Sequence, residues 1–207
     1  MLENWMRPFY QRYFIRIIVP ILAVRVTPNQ ITVIAGISGI IASIFIVLDY
    51  NLFATIFLLL SGIFDTLDGS LARHIFQESD WGCAMDILTD RIVECAIIFG
   101  LFFIDIANRA IASMLMLMSI LLCVTSFLLI GIFTIQKETE KSFYYSTGLI
   151  ERFEAFIFFI AMIWLPNFFT TLAYTFSNLV FLTAFIRLYQ FKTQTLAIHR
   201  KIKPSED

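Results

Sequence analysis

The chain has 207 residues, 59% of them hydrophobic and 15% charged, with a formal net charge of −1 and a mean hydropathy of +0.82. Soluble domains carry about 45–50% apolar residues, so this composition excludes a water-soluble globular domain and predicts an all-α integral membrane protein. The balanced charge excludes a polybasic nucleic-acid binder, and three cysteines without a Cys-x-x-Cys spacing exclude a disulfide scaffold or a structural zinc site.

Residues 2–24 mix Trp5, Phe9, Tyr13, Phe14 and Ile17 with Arg7, Arg12 and Arg16, and Pro20 interrupts them. The pattern predicts an amphipathic helix in the membrane interface over residues 1–24. An ordinary cytoplasmic helix packed on the bundle is the plainer alternative. The scattered arginines leave no clean apolar core before a small-residue cleavage site, so a cleavable signal peptide is not expected.

Six apolar runs follow, at about 31–49, 52–74, 83–105, 109–135, 153–170 and 172–191, each near the roughly 20 residues a span requires. The first carries Gly36-x-x-Gly39 and Ser43, small residues that let helices approach closely, here expected within one chain. One domain over 1–207 is predicted: the interfacial helix, a six-helix bundle over 31–191 and a tail over 192–207. Arg7, Arg12, Arg16, Arg25, Arg73, Lys137, Lys141, Arg152, Lys192, Arg200, Lys201 and Lys203 fall on one side, and Arg109 alone on the other. Basic residues concentrate on the cytoplasmic side, so both termini are expected there.

Within the second and third runs stand Asp65, Asp68, Asp86 and Asp90. Ionisable groups at membrane depth mark a site by default. Asp65 and Asp68 (i, i+3) share one helix face, as do Asp86 and Asp90 (i, i+4), so two helices can aim four carboxylates at one point. Such a group must take up protons or recruit cations, and an all-oxygen set suits Mg²⁺ or Mn²⁺ with a substrate phosphate. Gly69 leaves room for a ligand against the backbone, and Arg73 offers a forked phosphate donor. Taken singly, each Asp is as well explained by a helix cap or by pairing with Arg91; the pattern of four is not. Arg91 and Glu94 (i, i+3) are expected to pair with each other or with neighbours. His74 and His199 are isolated and suggest no metal ligand.

The run Asp65-x2-Asp68-Gly69-x2-Ala72-Arg73-x8-Gly82-x3-Asp86-x3-Asp90 resembles, at all eight defining positions, the signature of the CDP-alcohol phosphotransferases. Upstream, Pro28-Asn29-x2-Thr32 resembles the family's Pro-Asn-x-x-Thr element. Downstream, Gly148-x2-Glu151-Arg152 is similar to a stretch of the phosphatidylinositol-phosphate synthase branch, and Asp86-x2-Thr89-Asp90-Arg91 to one in inositol-using synthases. The resemblance implies two Mg²⁺ or Mn²⁺ ions on Asp65, Asp68, Asp86 and Asp90, with Asp90 as catalytic base. It implies a nucleotide pocket of Asn29, Thr32, Asp65, Asp68, Gly69, Ala72, Arg73 and Gly82, and a homodimer in the bilayer. Asn29 and Thr32 also suit a plain turn and cap.

The implied reaction moves a phosphatidyl group from CDP-diacylglycerol to a polar hydroxyl compound and releases CMP. Candidate acceptor contacts are Lys137, Lys141, Arg152 and Arg187; Arg187 equally fits snorkelling to the interface. Family members that use phosphorylated polyols carry a basic cluster where this chain has Gln136-Lys137-Glu138-Thr139-Glu140, which tilts the expectation toward an uncharged, inositol-like acceptor. Two readings compete: a CDP-choline or CDP-ethanolamine:diacylglycerol phosphotransferase, and a transporter whose acidic cluster holds cations, which would leave Gly69, Ala72, Arg73 and Gly82 unexplained.

Overall fold

A computed structural model describes residues 19, 26–75, 79–135 and 152–202. The expected interfacial helix (Val19 apart), Lys137, Lys141 and residues 148–151 lie outside them. Six α-helices follow one another: α1 (Pro28–Val47), α2 (Asn51–His74), α3 (Asp80–Phe103), α4 (Ile106–Ile135), α5 (Arg152–Trp164) and α6 (Phe169–Ile202), with a 3₁₀ turn at Pro166–Phe168. No strand occurs among the described residues.

Local chemistry sets the ends. Thr27 caps α1: its Oγ1 accepts from Gln30 N, its own N–H donates to Gln30 Oε1 at 3.0 Å, and Pro28 begins the helix. Asp49 turns the chain between α1 and α2 at φ 61°, a left-handed conformation that a short polar side chain tolerates. Ser79 Oγ caps α3 by accepting from Gly82 N at 3.0 Å. Pro166 disfavours helical backbone at Leu165, so the helix breaks there, five residues before the expected end of the fifth span at about 170. Beyond position 191, where a tail was expected, α6 continues to Ile202.

The helices α1, α2 and α3 pack as one group and α4 packs on α6, while α5 touches α2, α3 and α6. Ile97, Leu101, Met116, Phe159, Met162 and Phe176 fill the centre. Ile37, Ile44, Ile111, Met114, Leu121 and Phe185 point outward and are more than half exposed. Apolar side chains on this scale at the surface of a helical bundle mark contact with lipid.

By length and apolarity four segments among the described residues can cross a membrane: Pro28–Val47, Asn51–His74, Ile106–Phe133 and Pro166–Thr193. The chain is thus an all-helical integral membrane protein. Helix α3 is long enough, but Asp86, Asp90, Arg91 and Glu94 lower its apolarity. Helix α5 has 13 described residues, short of the roughly 20 a span needs.

Arg109, 6% exposed, fastens the end opposite Asp65 and Asp86. Its Nη1 donates to Leu101 O at 2.8 Å, its Nη2 to Pro166 O at 3.4 Å, and its guanidinium lies 4.4 Å from the Phe169 ring centroid. It therefore ties together the ends of α3, α4 and α6, satisfying carbonyls that lipid could not.

The α1–α3 seam is the closest contact. Gly36 faces Thr89, Gly39 faces Val93, and Ser43 Oγ donates to Ala96 O at 2.5 Å. These pairs advance together along both helices, so α1 and α3 run parallel with their N-termini at one end, and the small residues give the close approach within one chain that their spacing predicts. A Cβ on Gly39 would lie 2.5 Å from Val93 Cγ2. Gly39→Ala is therefore expected to destabilise the bundle by about 1–3 kcal/mol. Val93→Ala should restore much of that loss in a detergent melting experiment; a double variant no more stable than Gly39→Ala would refute this seam.

Candidate functional site

Because α1 and α3 run parallel and α2 runs back along α1, the first turns of α1 and α3 and the last turns of α2 meet at one end. Asp65 and Asp68 reach this point from α2, Asp86 and Asp90 from α3, and Arg152 from the first turn of α5. One carboxylate oxygen from each of Asp65, Asp68 and Asp86 lies within 4.8 Å of the others. The helical spacing of the aspartates foretold this convergence. Asp90 joins differently: Arg152 Nη1 ion-pairs with both Asp65 Oδ1 and Asp90 Oδ1.

The cluster suits a hard divalent cation. Three carboxylates supply oxygen ligands only, and Asp86 Oδ1 is buried without a hydrogen-bond partner among the described residues. A buried carboxylate oxygen left unpaired is costly, so a cation at this point would complete the group.

Asp68 is the most enclosed of the set at 4% exposure. Its Oδ2 accepts a 2.5 Å hydrogen bond from Thr32 Oγ1, and its Oδ1 a 2.5 Å bond from Gly69 N. These bonds fix the carboxylate's rotation. With Thr27 and Gln30 capping α1, Thr32 is free to reach across to α2 and Asn29 to face α3. A Cβ at Gly82 would lie 3.3 Å from Asn29 Oδ1, so the glycine admits the Asn29 side chain between the two helix starts. Asn29 also lines a cleft of about 540 Å³ with Gln30, Val33, Ile34, Trp81 and Met85.

Gly69 and Ala72 lie on the final turns of α2, half-buried. Arg73 is exposed, its Nη2 3.4 Å from Ser70 Oγ and its guanidinium, 3.6 Å away, the nearest described group to the space a Gly69 side chain would enter. The backbone at Gly69 is thus open to a ligand, with a forked cation beside it. Arg91 pairs with Glu94 at 2.6 Å and lies 3.8 Å from Asp90, as their spacing predicts. Arg187 turns inward rather than out to the interface: its Nη1 is 3.6 Å from Cys123 Sγ and its guanidinium 5.7 Å from the Phe127 ring. The pairing of Arg152 with Asp65, 87 positions away, and of Thr32 with Asp68 had no signal in local spacing.

The family model described as CDP-alcohol phosphatidyltransferase matches residues 25–186. The chain is 29% identical over 170 residues to the inner membrane protein YnjF of Escherichia coli, covering 79% of this chain and 82% of that protein. It is 28% identical over 159 residues to the phosphatidylinositol phosphate synthase of Streptomyces avermitilis, covering 76% and 64%. Its fold matches the crystal structure of Mycobacterium tuberculosis phosphatidylinositol phosphate synthase with CDP-DAG bound, with a TM-score of 0.68 at 20% identity over 85% of this chain and 94% of that one.

The hydrogen bond from Thr32 makes a distinct demand. Thr32→Val keeps shape but removes the donor, and loss of an outer partner of a ligand typically lowers metal affinity about 10–100-fold. Thr32→Val is expected to weaken Mn²⁺ binding by that order, measured by titration of the purified protein, while Thr32→Ser stays near the parent. Equal affinity in all three would show that the hydroxyl does not hold Asp68 in place.

Proposed function

The chain belongs to the CDP-alcohol phosphatidyltransferase family, and we propose that it transfers a phosphatidyl group from CDP-diacylglycerol to an inositol-class hydroxyl acceptor, releasing CMP. The convergence of Asp65, Asp68 and Asp86 carries this reading, because that set would hold divalent cations able to neutralise a pyrophosphate. Mg²⁺ or Mn²⁺, two ions in all, would be held by Asp65, Asp68, Asp86 and Asp90. Bound there, they supply charge neutralisation of the phosphate oxygens and of the departing CMP.

The remaining steps belong to the chain's own groups. Gly69, Ala72, Arg73, Gly82 and Asn29 shape the cytidylyl pocket: the open backbone at Gly69 admits the ligand and Arg73 offers paired donors to phosphate. Thr32 acts in the same pocket through Asp68. Asp90 takes the proton from the acceptor hydroxyl; that oxygen attacks the phosphorus bonded to diacylglycerol, and the bond to CMP breaks. General-base assistance of this kind contributes about 10²–10⁴-fold. Arg152 and Arg187, with Lys137 and Lys141, are the acceptor-side cations. The names of the relatives matched support an inositol-bearing acceptor.

The same reading sets the protein in the membrane as one domain over 1–207 with an interfacial helix over 1–24 and six spans within 31–191. Helix α3 is carried as a span by its neighbours, and the fifth span, about 153–170, joins α5 to the 3₁₀ turn after it. Both termini and the aspartates face the cytoplasm, where the basic residues concentrate, and the family resemblance supports a homodimer.

CMP release from CDP-diacylglycerol by purified protein tests the chemistry. Asp68→Asn and Asp90→Asn should each reduce it by at least about 10²-fold, with only the former strongly weakening divalent-dependent nucleotide binding. Inositol should drive release faster than inositol phosphate, because Glu138 and Glu140 offset Lys137 and Lys141; the reverse order, lost on Lys137→Ala or Arg152→Ala, would show that the basic residues converge on a phosphate. Release driven by serine or glycerol phosphate alone would overturn the inositol assignment, and near-normal turnover in Asp90→Asn the base assignment.

Topology is tested separately, by single-cysteine labelling in intact cells. Positions near Lys141 and Lys203 should be shielded from a membrane-impermeant reagent, and positions near Asn51, Asn108 and Asn167 labelled. Labelling near Lys203 from outside would refute the six-span arrangement.

A further inference from the structure

We propose that Arg152 is a resident counter-cation that competes with divalent ions for Asp65 and Asp90, and thereby sets the affinity of the metal centre. The inference rests on the metal-centre reading above. Arg152 Nη1 is shared between Asp65 Oδ1 and Asp90 Oδ1, one carboxylate from each of α2 and α3. A metal ion entering the centre must share Asp65 and Asp90 with this guanidinium, and two cations drawn to the same pair of carboxylates repel each other, so each weakens the other's hold.

The fold seats this guanidinium rather than leaving it to find its own place. Gly62 lies one turn before Asp65 on α2, and Phe156 one turn after Arg152 on α5. A Cβ on Gly62 would stand 2.8 Å from Phe156 Cε2, so the glycine lets the ring settle directly against α2. The Phe156 ring centroid lies 5.5 Å from the Arg152 guanidinium carbon. Gly62 with Phe156, and Asp65 with Arg152, are therefore two rungs of one α2–α5 contact. Arg91, the other cation close to Asp90, is committed to Glu94 at 2.6 Å and cannot substitute.

Arg152 is also held incompletely. Its Nη2 is buried without a hydrogen-bond partner among the described residues, and one nitrogen serves both carboxylates. A guanidinium binds a carboxylate best through two parallel N–H donors. This pose supplies charge but leaves donors unused, which is the character of a group that a better ligand can displace.

The test is a Mn²⁺ titration of the purified full chain in lipid nanodiscs, without nucleotide or acceptor, read by the electron paramagnetic resonance signal of free ion. Removing the competitor should tighten binding: Arg152→Gln is expected to lower the Mn²⁺ dissociation constant by about tenfold, equivalent to about 1.4 kcal/mol. Arg152→Lys, which keeps the charge, should stay near the parent. Gly62→Ala retains every charge but disturbs the seat of Phe156, and should also tighten binding even if Arg152→Gln does not fold. Without metal, Arg152→Gln should melt below the parent, and saturating Mn²⁺ should raise its melting temperature by more than it raises the parent's. Mn²⁺ affinity unchanged or weakened in the folded variants would overturn the competition. Asp68 lies outside the Arg152 ion pairs, so Mn²⁺ binding that survives Asp68→Asn would instead refute the metal-centre reading, and the competition with it.

Discussion

Four carboxylates held at one end of an apolar bundle are the constraint to which the rest of the structure answers. Charges of one sign gathered where water is scarce repel one another and lose hydration, so each needs a partner that the fold must deliver. The partners come from every direction. Thr32 reaches Asp68 from α1, Gly69 N reaches it from its own helix, and Arg152 reaches Asp65 and Asp90 from α5. Glu94, one turn beyond Asp90, is matched within α3 by Arg91. Helix ends that would otherwise splay apart in lipid are thus drawn to a single point by charge.

Meeting that demand requires backbones to come close, and small residues make this possible. Within lipid, helices gain nothing by hiding apolar surface from water, so association rests on packing and polar contacts. Gly36, Gly39 and Gly100 remove the side chains that would hold α1 and α3 apart, and Ser43 converts the approach into a hydrogen bond to Ala96 O. Gly82 does the same for Asn29 at the mouth of the site, and Gly62 for Phe156 on the α5 side. The opposite end is closed by Arg109, whose guanidinium collects carbonyls from Leu101 and Pro166. The bundle is therefore apolar in its middle and fastened by polar groups at both ends.

Legibility in the sequence followed distance along the chain. The three-residue step from Asp65 to Asp68 and the four-residue step from Asp86 to Asp90 are local and periodic, so they declared the site; the Gly36–Gly39 step declared the seam for the same reason. The partner of Thr32 lies 36 residues away, and nothing in its neighbours says that Asp68 rather than a nucleotide will take its hydroxyl. Thr27 and Gln30 form a recognisable capping box, yet Pro-Asn itself reads as a turn and so points the cap toward Asn29 and Thr32. In sequence Arg152 stands with Lys137 and Lys141 near one connection, which reads as an acceptor-side group of cations. Its pairing with Asp65 and Asp90 depends on how α5 packs against α2, which the spacing of charges along the chain does not encode.

Helix α3 shows how the site and the membrane are reconciled in one segment. It carries Asp86, Asp90, Arg91 and Glu94, and on apolarity alone falls short of a span. Yet Leu88, Ile92, Phe99 and Phe103 are between 44% and 61% exposed, and at 100° per residue they fall within a 60° arc. Asp86, Asp90 and Glu94 lie on the other side of the helix, toward α2 and α5. The helix is therefore amphipathic with its polar face inward, the reverse of a helix on a soluble protein. Such a segment is stable in lipid only when its polar face is covered, by Asp65 and Asp68 on α2 and Arg152 on α5. Seating α3 in the membrane and assembling the site are then one event, because the groups that make the site are those that make α3 tolerable there.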